Sequence, residues 1–209
     1  QEHMEADKYG EYTITNIYYD TDNYELIRHS IEKPLYKEKF RVRSYGVPGD
    51  NDLTFAEIKK KFKGVVYKRR VADTYLKIDE FLKGEISLEK DAQIQNEIRW
   101  FFQQYKPKPK VFIGYDRKAF AGKDGEDIRL TFDQNVRWRT DELDLRVGDY
   151  GKPVIPEERI VMEIKVPGAA PLWLVEALSS NKIYSGSFSK YGTAYKSFVL
   201  NKIFKKGNL

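Results

Sequence analysis

A chain of 209 residues, 33% charged and 41% hydrophobic with 15 Tyr and 12 Phe, is long enough to bury a core and too aromatic to stay disordered. Having no Cys, it excludes disulfides and thiolate chemistry; His3 and His29 alone are too few for a histidine metal cage or a catalytic triad, and no apolar run approaches the roughly 20 residues of a membrane-spanning helix. The net charge of +5 suits an acidic partner, but 37 bases are offset by 32 acids, so where the charges sit matters more than their sum. A cytoplasmic location is the default expectation.

Residues 1–11 are polar and aperiodic and read as a frayed lead-in, leaving one domain over 12–209. Tyr12 to Tyr19 is a first strand, ended by Asp20-Thr21-Asp22-Asn23, and Tyr24 to Ser30 a short helical turn before Pro34. Tyr36 to Tyr45 is a strand in which Lys37, Lys39, Arg41 and Arg43 share one side, with Phe40 and Val42 on the other. Leu53 to Lys63 and Val65 to Val71 form a hairpin around Gly64 whose polar side carries Glu57, Lys59, Lys61, Lys63, Lys68 and Arg70. Two helices are expected over Asp73 to Lys83 and Ser87 to Tyr105, with Ser87 the N-cap of the second. Strands follow at Val111 to Phe120, Asp127 to Asp133, Val136 to Arg139, Leu143 to Val147 and Arg159 to Val166, the first two joined by a turn at Gly122-Lys123-Asp124-Gly125. Trp173 to Leu178 and Phe188 to Ile203 close the chain as helices.

About eight alternating strands in hairpin order point to an α+β fold: an antiparallel eight-stranded sheet closed into a barrel or tunnel, with helices packed outside. Its polar face would gather Lys37, Lys39, Arg41, Arg43, Lys59, Lys61, Lys63, Lys68, Arg70, Arg117, Arg129 and Lys165, with Glu57 and Glu163 among them. A solvated face usually mixes the two signs, and Arg forks with Lys point charges are the combination that grips phosphate. For Glu57-Ile58-Lys59 and Glu163-Ile164-Lys165 two readings stand side by side: a same-face ion pair, or a carboxylate holding Mg²⁺ or Mn²⁺ that phosphate and water complete. Ser189 is either an ordinary N-cap or, with Lys190, part of an anion site at a helix N-terminus. Nucleic acid is not expected, because the aromatics fall on the sides opposite the cations instead of interleaving with them.

Tyr18-Tyr19-Asp20-Thr21, Lys39 to Gly46, Glu57-Ile58-Lys59, Tyr115 to Phe120, Glu163-Ile164-Lys165 and Phe188-Ser189-Lys190-Tyr191 resemble, in order, the motifs of the VTC domain. This is the polyphosphate polymerase domain of vacuolar transporter chaperone complexes, within the triphosphate tunnel metalloenzyme superfamily, and it also occurs in free-standing bacterial proteins. The resemblance runs from about Tyr12 to the C-terminus. It implies an eight-stranded tunnel in which Arg41, Arg43, Lys59, Lys68, Arg117, Arg129 and Lys190 bind phosphate and Glu163 binds Mn²⁺ or Mg²⁺. Lys39, Lys165, Ser189 and the second carboxylate, Glu57, complete the candidate set. Two departures accompany it: the family's opening strand, with a Glu-x-Lys type motif, is missing upstream of Tyr18, and Ser187 stands where eukaryotic members carry a further lysine.

Three activities are compatible with these residues. A polymerase would move the γ-phosphoryl of ATP onto polyphosphate and release ADP, a triphosphatase would use water as acceptor, and a non-catalytic module would bind polyphosphate or inositol phosphates without turnover.

Overall fold

The computed structural model describes residues 3–123 and 127–206, with side chains described up to Val199; the turn expected at Asp124-Gly125 lies outside the described residues. Eight strands form one sheet in the order β4-β3-β2-β1-β5-β6-β7, with β8 also pairing β6, and every pairing is antiparallel. They are β1 Met4–Asp20, β2 Tyr36–Tyr45, β3 Leu53–Phe62, β4 Val65–Thr74, β5 Lys108–Gly122, β6 Arg129–Arg139, β7 Lys152–Pro153 and β8 Val161–Lys165. The helices are α1 Glu25–Ile31, α2 Tyr75–Lys83, α3 Ala92–Tyr105, α4 Leu172–Ser180 and α5 Lys190–Lys206.

The expected closed barrel is not what forms. β4 ends the sheet on one side, β7 and β8 end it on the other, and among the described residues these edges do not pair. β8 has only five residues, and its partner β6 is shared with β7, so the short strands reach no farther than β6. The lead-in is also ordered differently: Met4, Glu5 and Ala6 pair with Gly122, Ala121 and Phe120 as the start of β1, and Gly10, at φ +65°, absorbs the register shift that follows. Leu145–Val147 is a short 3₁₀ turn and not a strand, because Asp144 accepts the Arg146 N–H and closes it locally. The hairpin β3–β4 turns on Lys63 and Gly64, both at positive φ, as a two-residue turn requires.

One face of the sheet is apolar in the way the alternation predicts. Phe40 and Val42 of β2, Ala56 and Ile58 of β3, and Val71 of β4 are buried under α2 and α3, whose Ile78, Phe81, Ile98 and Phe101 recur at helical spacing. Burial of each such side chain is worth about 1.5–3 kcal/mol. Thr74 caps α2 through the Lys77 N–H. Ser87 does not cap α3: Asp91 precedes it, and the Gln95 amide binds the Leu88 N–H and the Leu88 and Lys90 carbonyls, holding 88–91 as a loop. The helices are not all on that face. α5 lays Tyr191, Ala194 and Phe198 against Ile14, Tyr18, Ile113 and Tyr115, which lie on the other face.

Candidate functional site

In an antiparallel pair, directly opposed residues point to the same side, so the register tells which side chains meet. Lys39↔Lys59↔Lys68, Arg41↔Glu57↔Arg70, Arg41↔Tyr18, Arg43↔Asn16, Ile14↔Tyr115, Tyr12↔Arg117↔Asp133, Thr131↔Glu163 and Arg129↔Lys165 place the cations from six strands on a single face. That face is the one α5 partly covers.

Its centre on β2–β3 is Glu57, whose side chain is 2% exposed. Arg41 Nε and Nη2 approach Oε2 at 2.8 and 2.7 Å, Lys68 Nζ approaches Oε1 at 2.9 Å, and Arg43 Nη1 stands 3.8 Å from Oε1. Burial would raise the Glu57 carboxyl, but Arg41, Arg43 and Lys68 together draw it down to about 2. The two guanidiniums are fixed further: Arg41 Nη1 donates to the Tyr18 hydroxyl at 3.0 Å, Arg43 Nε to Asn16 Oδ1 at 3.1 Å, and Arg43 Nη2 to the Tyr115 hydroxyl at 3.3 Å. Burial pushes the Tyr18 phenol up, yet Arg41, Arg43 and Lys39 outweigh it and bring it to about 8. Lys39 is brought down to about 8, chiefly by burial and further by Lys37, Lys59 and Arg41.

A second cluster lies on β5–β6. Arg117 grips the fully buried Asp133 with Nε at 2.6 Å and Nη2 at 2.8 Å, and Lys190 Nζ reaches the same carboxylate at 2.5 Å. Burial favours the neutral Asp133 acid, but Arg117 and Lys190 hold it below the usual carboxylate range. Tyr115 joins the clusters: its hydroxyl takes the Arg43 bond, and its ring lies 4.4 Å from Lys190 Nζ and 5.3 Å from the Arg117 guanidinium. Ser189 spans them too, since it accepts from Lys39 Nζ at 3.2 Å while Lys190 next to it reaches Asp133. The Ser189 hydroxyl also accepts the Gly192 N–H at 3.1 Å, so it is the N-cap of α5.

What sets the α5 N-terminus there is Asp20, which is fully buried. Its carboxylate accepts the Thr21, Leu26 and Ile27 N–H groups and the Tyr191 hydroxyl at 2.8–3.0 Å. The Tyr191 ring stacks on Tyr18 at 4.9 Å. The Tyr18-Tyr19-Asp20-Thr21 stretch thus binds the start of α1 and the start of α5 to β1.

Of the sequence-derived candidates, Arg41, Arg43, Glu57 and Lys68 meet in one network, Arg117 and Lys190 in another, and Lys39 and Ser189 lie between. Lys59 and Arg129 share the face but are exposed, without an ion pair among the described residues. Glu163 and Lys165 stand at the β8 edge, 51% and 69% exposed, and pair with each other at 3.4 Å. Among the described residues no three His, Asp or Glu side chains are grouped to hold a metal ion. Glu57, with three cations around it, does not fit a metal ligand. Glu163 faces one cation, Lys165, at 3.4 Å and at an exposed edge where it can be displaced, and fits an ion that phosphate oxygens would share.

The sequence reading passed over Tyr18, Tyr115, Asn16, Asp20 and Asp133 as functional side chains. Asp133 had a signal in the β6 alternation, where it follows Arg129 and Thr131 at period two. The separation of aromatics from cations also needs correction: Tyr18, Phe55 and Tyr115 share the cationic face and are buried, with Arg70 covering Phe55 at 4.8 Å, and Tyr12 and the exposed Tyr45 share it too.

The family model for the VTC domain matches residues 1–199. The chain belongs to the VTC domain family. Curated relatives are Vacuolar transporter chaperone complex subunit 4 of Trypanosoma brucei brucei, 26% identical over 217 residues, and of Schizosaccharomyces pombe, 24% identical over 222 residues. The subunit from Trypanosoma cruzi is 25% identical over 217 residues. Each alignment takes in 85% of this chain but only 27%, 30% and 27% of those relatives, so this VTC domain corresponds to less than a third of their length. Among the described residues no helix of the domain is long and apolar enough to cross a membrane.

Proposed function

We propose that this VTC domain is a metal-dependent polyphosphate polymerase that transfers the γ-phosphoryl of ATP to polyphosphate and releases ADP. The observation that carries the reading is the surplus of cations around Glu57: one carboxylate faces Arg41, Arg43 and Lys68, while Lys39 and Lys59 oppose each other directly. A face that depresses its own lysines is relieved by an anion with several charges, and a phosphate chain supplies them.

In this reading Arg41 and Arg43, oriented by Glu57, Tyr18, Asn16 and Tyr115, hold the phosphates from one side, and Arg117 and Lys190 hold them from the other. Lys59, Lys68, Arg129 and Lys165 add point charges. The terminal oxygen of the acceptor chain attacks the γ-phosphorus, the bond to the β-bridging oxygen breaks, and ADP departs with the electron pair. No covalent protein intermediate is needed, which agrees with a chain that lacks Cys. Glu163 would hold Mn²⁺ or Mg²⁺, and such an ion supplies neutralisation of charge on the phosphate oxygens.

Incubation with ATP and Mn²⁺, resolved on a polyphosphate gel, tests the proposal: chain growth supports it, and release of orthophosphate alone selects the triphosphatase. In the same assay Glu163→Gln is expected to abolish turnover and leave polyphosphate binding intact; loss of both would make the glutamate structural. Binding without turnover under every condition would leave a polyphosphate or inositol phosphate module.

A further inference from the structure

Beyond Arg41 and Glu57 the cationic face continues toward the β3–β4 hairpin tip, and there its charges change character. The next rung opposes Lys39, Lys59 and Lys68 across β2, β3 and β4, and the one after it opposes Lys37 and Lys61. Like charges placed directly opposite repel. Among the described residues no carboxylate lies within ion-pair distance of Lys37, Lys59 or Lys61; Lys37 Nζ donates to the Ser30 carbonyl at 3.1 Å. Lys37 is lowered first by burial and then by Lys61, Lys59 and Lys33. The fold therefore holds Lys37, Lys59 and Lys61 together with no carboxylate paired to them among the described residues, the nearest ion pair on this face being that of Lys68 with Glu57.

Lys61 stands four steps of β3 beyond Glu57, about 13 Å of strand. A triphosphate seated on Arg41, Arg43 and Arg117 does not extend that far, whereas a longer phosphate chain leaving the same place along β3 does. We infer that Lys37 and Lys61 form an extension subsite for a linear polyphosphate, engaged only by chains longer than a triphosphate. The inference deepens the polyphosphate reading and rests on it for the identity of the ligand. It makes the domain a reader of chain length: short chains meet the guanidiniums and the lysines beside them, and long chains gain Lys37 and Lys61 as well.

The experiment compares tripolyphosphate with long-chain polyphosphate by calorimetry across a salt series. Lys37→Gln/Lys61→Gln is measured beside Lys77→Gln/Lys83→Gln, an equal charge change on α2, where both lysines are paired with aspartates. The first pair is expected to leave tripolyphosphate affinity unchanged, weaken long-chain binding and lower the long-chain salt slope by about 2, one for each lysine. The control pair should alter neither. Equal weakening for both ligands, or for neither, would overturn the subsite, as would an identical effect of the control pair. Wild-type protein that binds long chains but not tripolyphosphate would remove the guanidinium reading while the rungs stand, and binding of neither would remove both.

Discussion

The two arms of the cationic face treat their charges differently. On β5–β6 and α5, Asp133 is matched to Arg117 and Lys190 at hydrogen-bond distance, and on β8 Lys165 has Glu163 beside it. On β2–β4, Glu57 is the one carboxylate among the described residues that answers Arg41, Arg43 and Lys68, while Lys37, Lys39, Lys59 and Lys61 stand in opposed pairs. Apart from Arg129, which has no ion pair among the described residues, one arm is balanced from within, and the other keeps an excess of positive charge. The contrast separates positioning from attraction. The balanced arm fixes where Arg117 and Lys190 point, and the unbalanced arm carries the excess positive field, which on the proposed reading would draw a phosphate chain in.

The comparison breaks most readily at its carboxylates. Glu57→Gln leaves three cations around a buried neutral amide and is expected to cost about 3–5 kcal/mol in denaturant unfolding, with part of the loss restored by added polyphosphate. An unchanged midpoint would show that Glu57 is not the counter-ion. Asp133→Asn removes an anion from the balanced arm, and because fewer cations are stranded there, its rescue by polyphosphate should be smaller than that of Glu57→Gln. Equal rescue would erase the distinction between the arms.

A smaller effect is expected at the hinge between them. Asp20→Asn keeps one acceptor oxygen for the α1 amides and is expected to cost about 1.5–3 kcal/mol, the worth of one charged hydrogen bond of the set from the α1 amides and Tyr191. Hydrogen exchange should then quicken in α5 before it does in β2–β3. Simultaneous quickening in both would mean that Asp20 supports the whole sheet and not the α5 start.

The gentlest probe is pH. Lys39, at about 8, lies below the ordinary lysine value, so near pH 8 it is partly neutral, and a bound polyanion would restore its proton. Tyr18, also at about 8, gains negative charge over the same range. Both changes act with one sign: polyphosphate affinity should fall as pH rises from 7 to 9, with proton uptake on binding at pH 8, read by calorimetry in buffers of different ionisation enthalpy. Affinity that is flat across this window would place Lys39 outside the site.

Much of this was legible from side-chain alternation. The spacing of Lys37, Lys39, Arg41 and Arg43 fixed their common side of β2, and the apolar positions Phe40, Val42, Ala56 and Ile58 fixed the side that α2 and α3 cover. Period two says nothing about whether a sheet's last strands find each other, so the open edges at β4 and β8 were out of reach. Nor could it show that α5 crosses the cationic side, because that depends on Asp20 meeting Tyr191 across 171 residues. Asp133 and Glu57 illustrate the same gap from the chemical side. Their residue types were visible, but which cations they would face was decided by strand register and, for Asp133, by the arrival of Lys190.

The Asp20 junction carries a lesson for annotation by signature. Tyr18-Tyr19-Asp20-Thr21 is one of the six stretches that carry the resemblance, yet Asp20 is spent on amides and on a tyrosine hydroxyl inside the protein. A pattern search anchored on it detects the scaffold, and is blind to whether the cations of the face beside it are present.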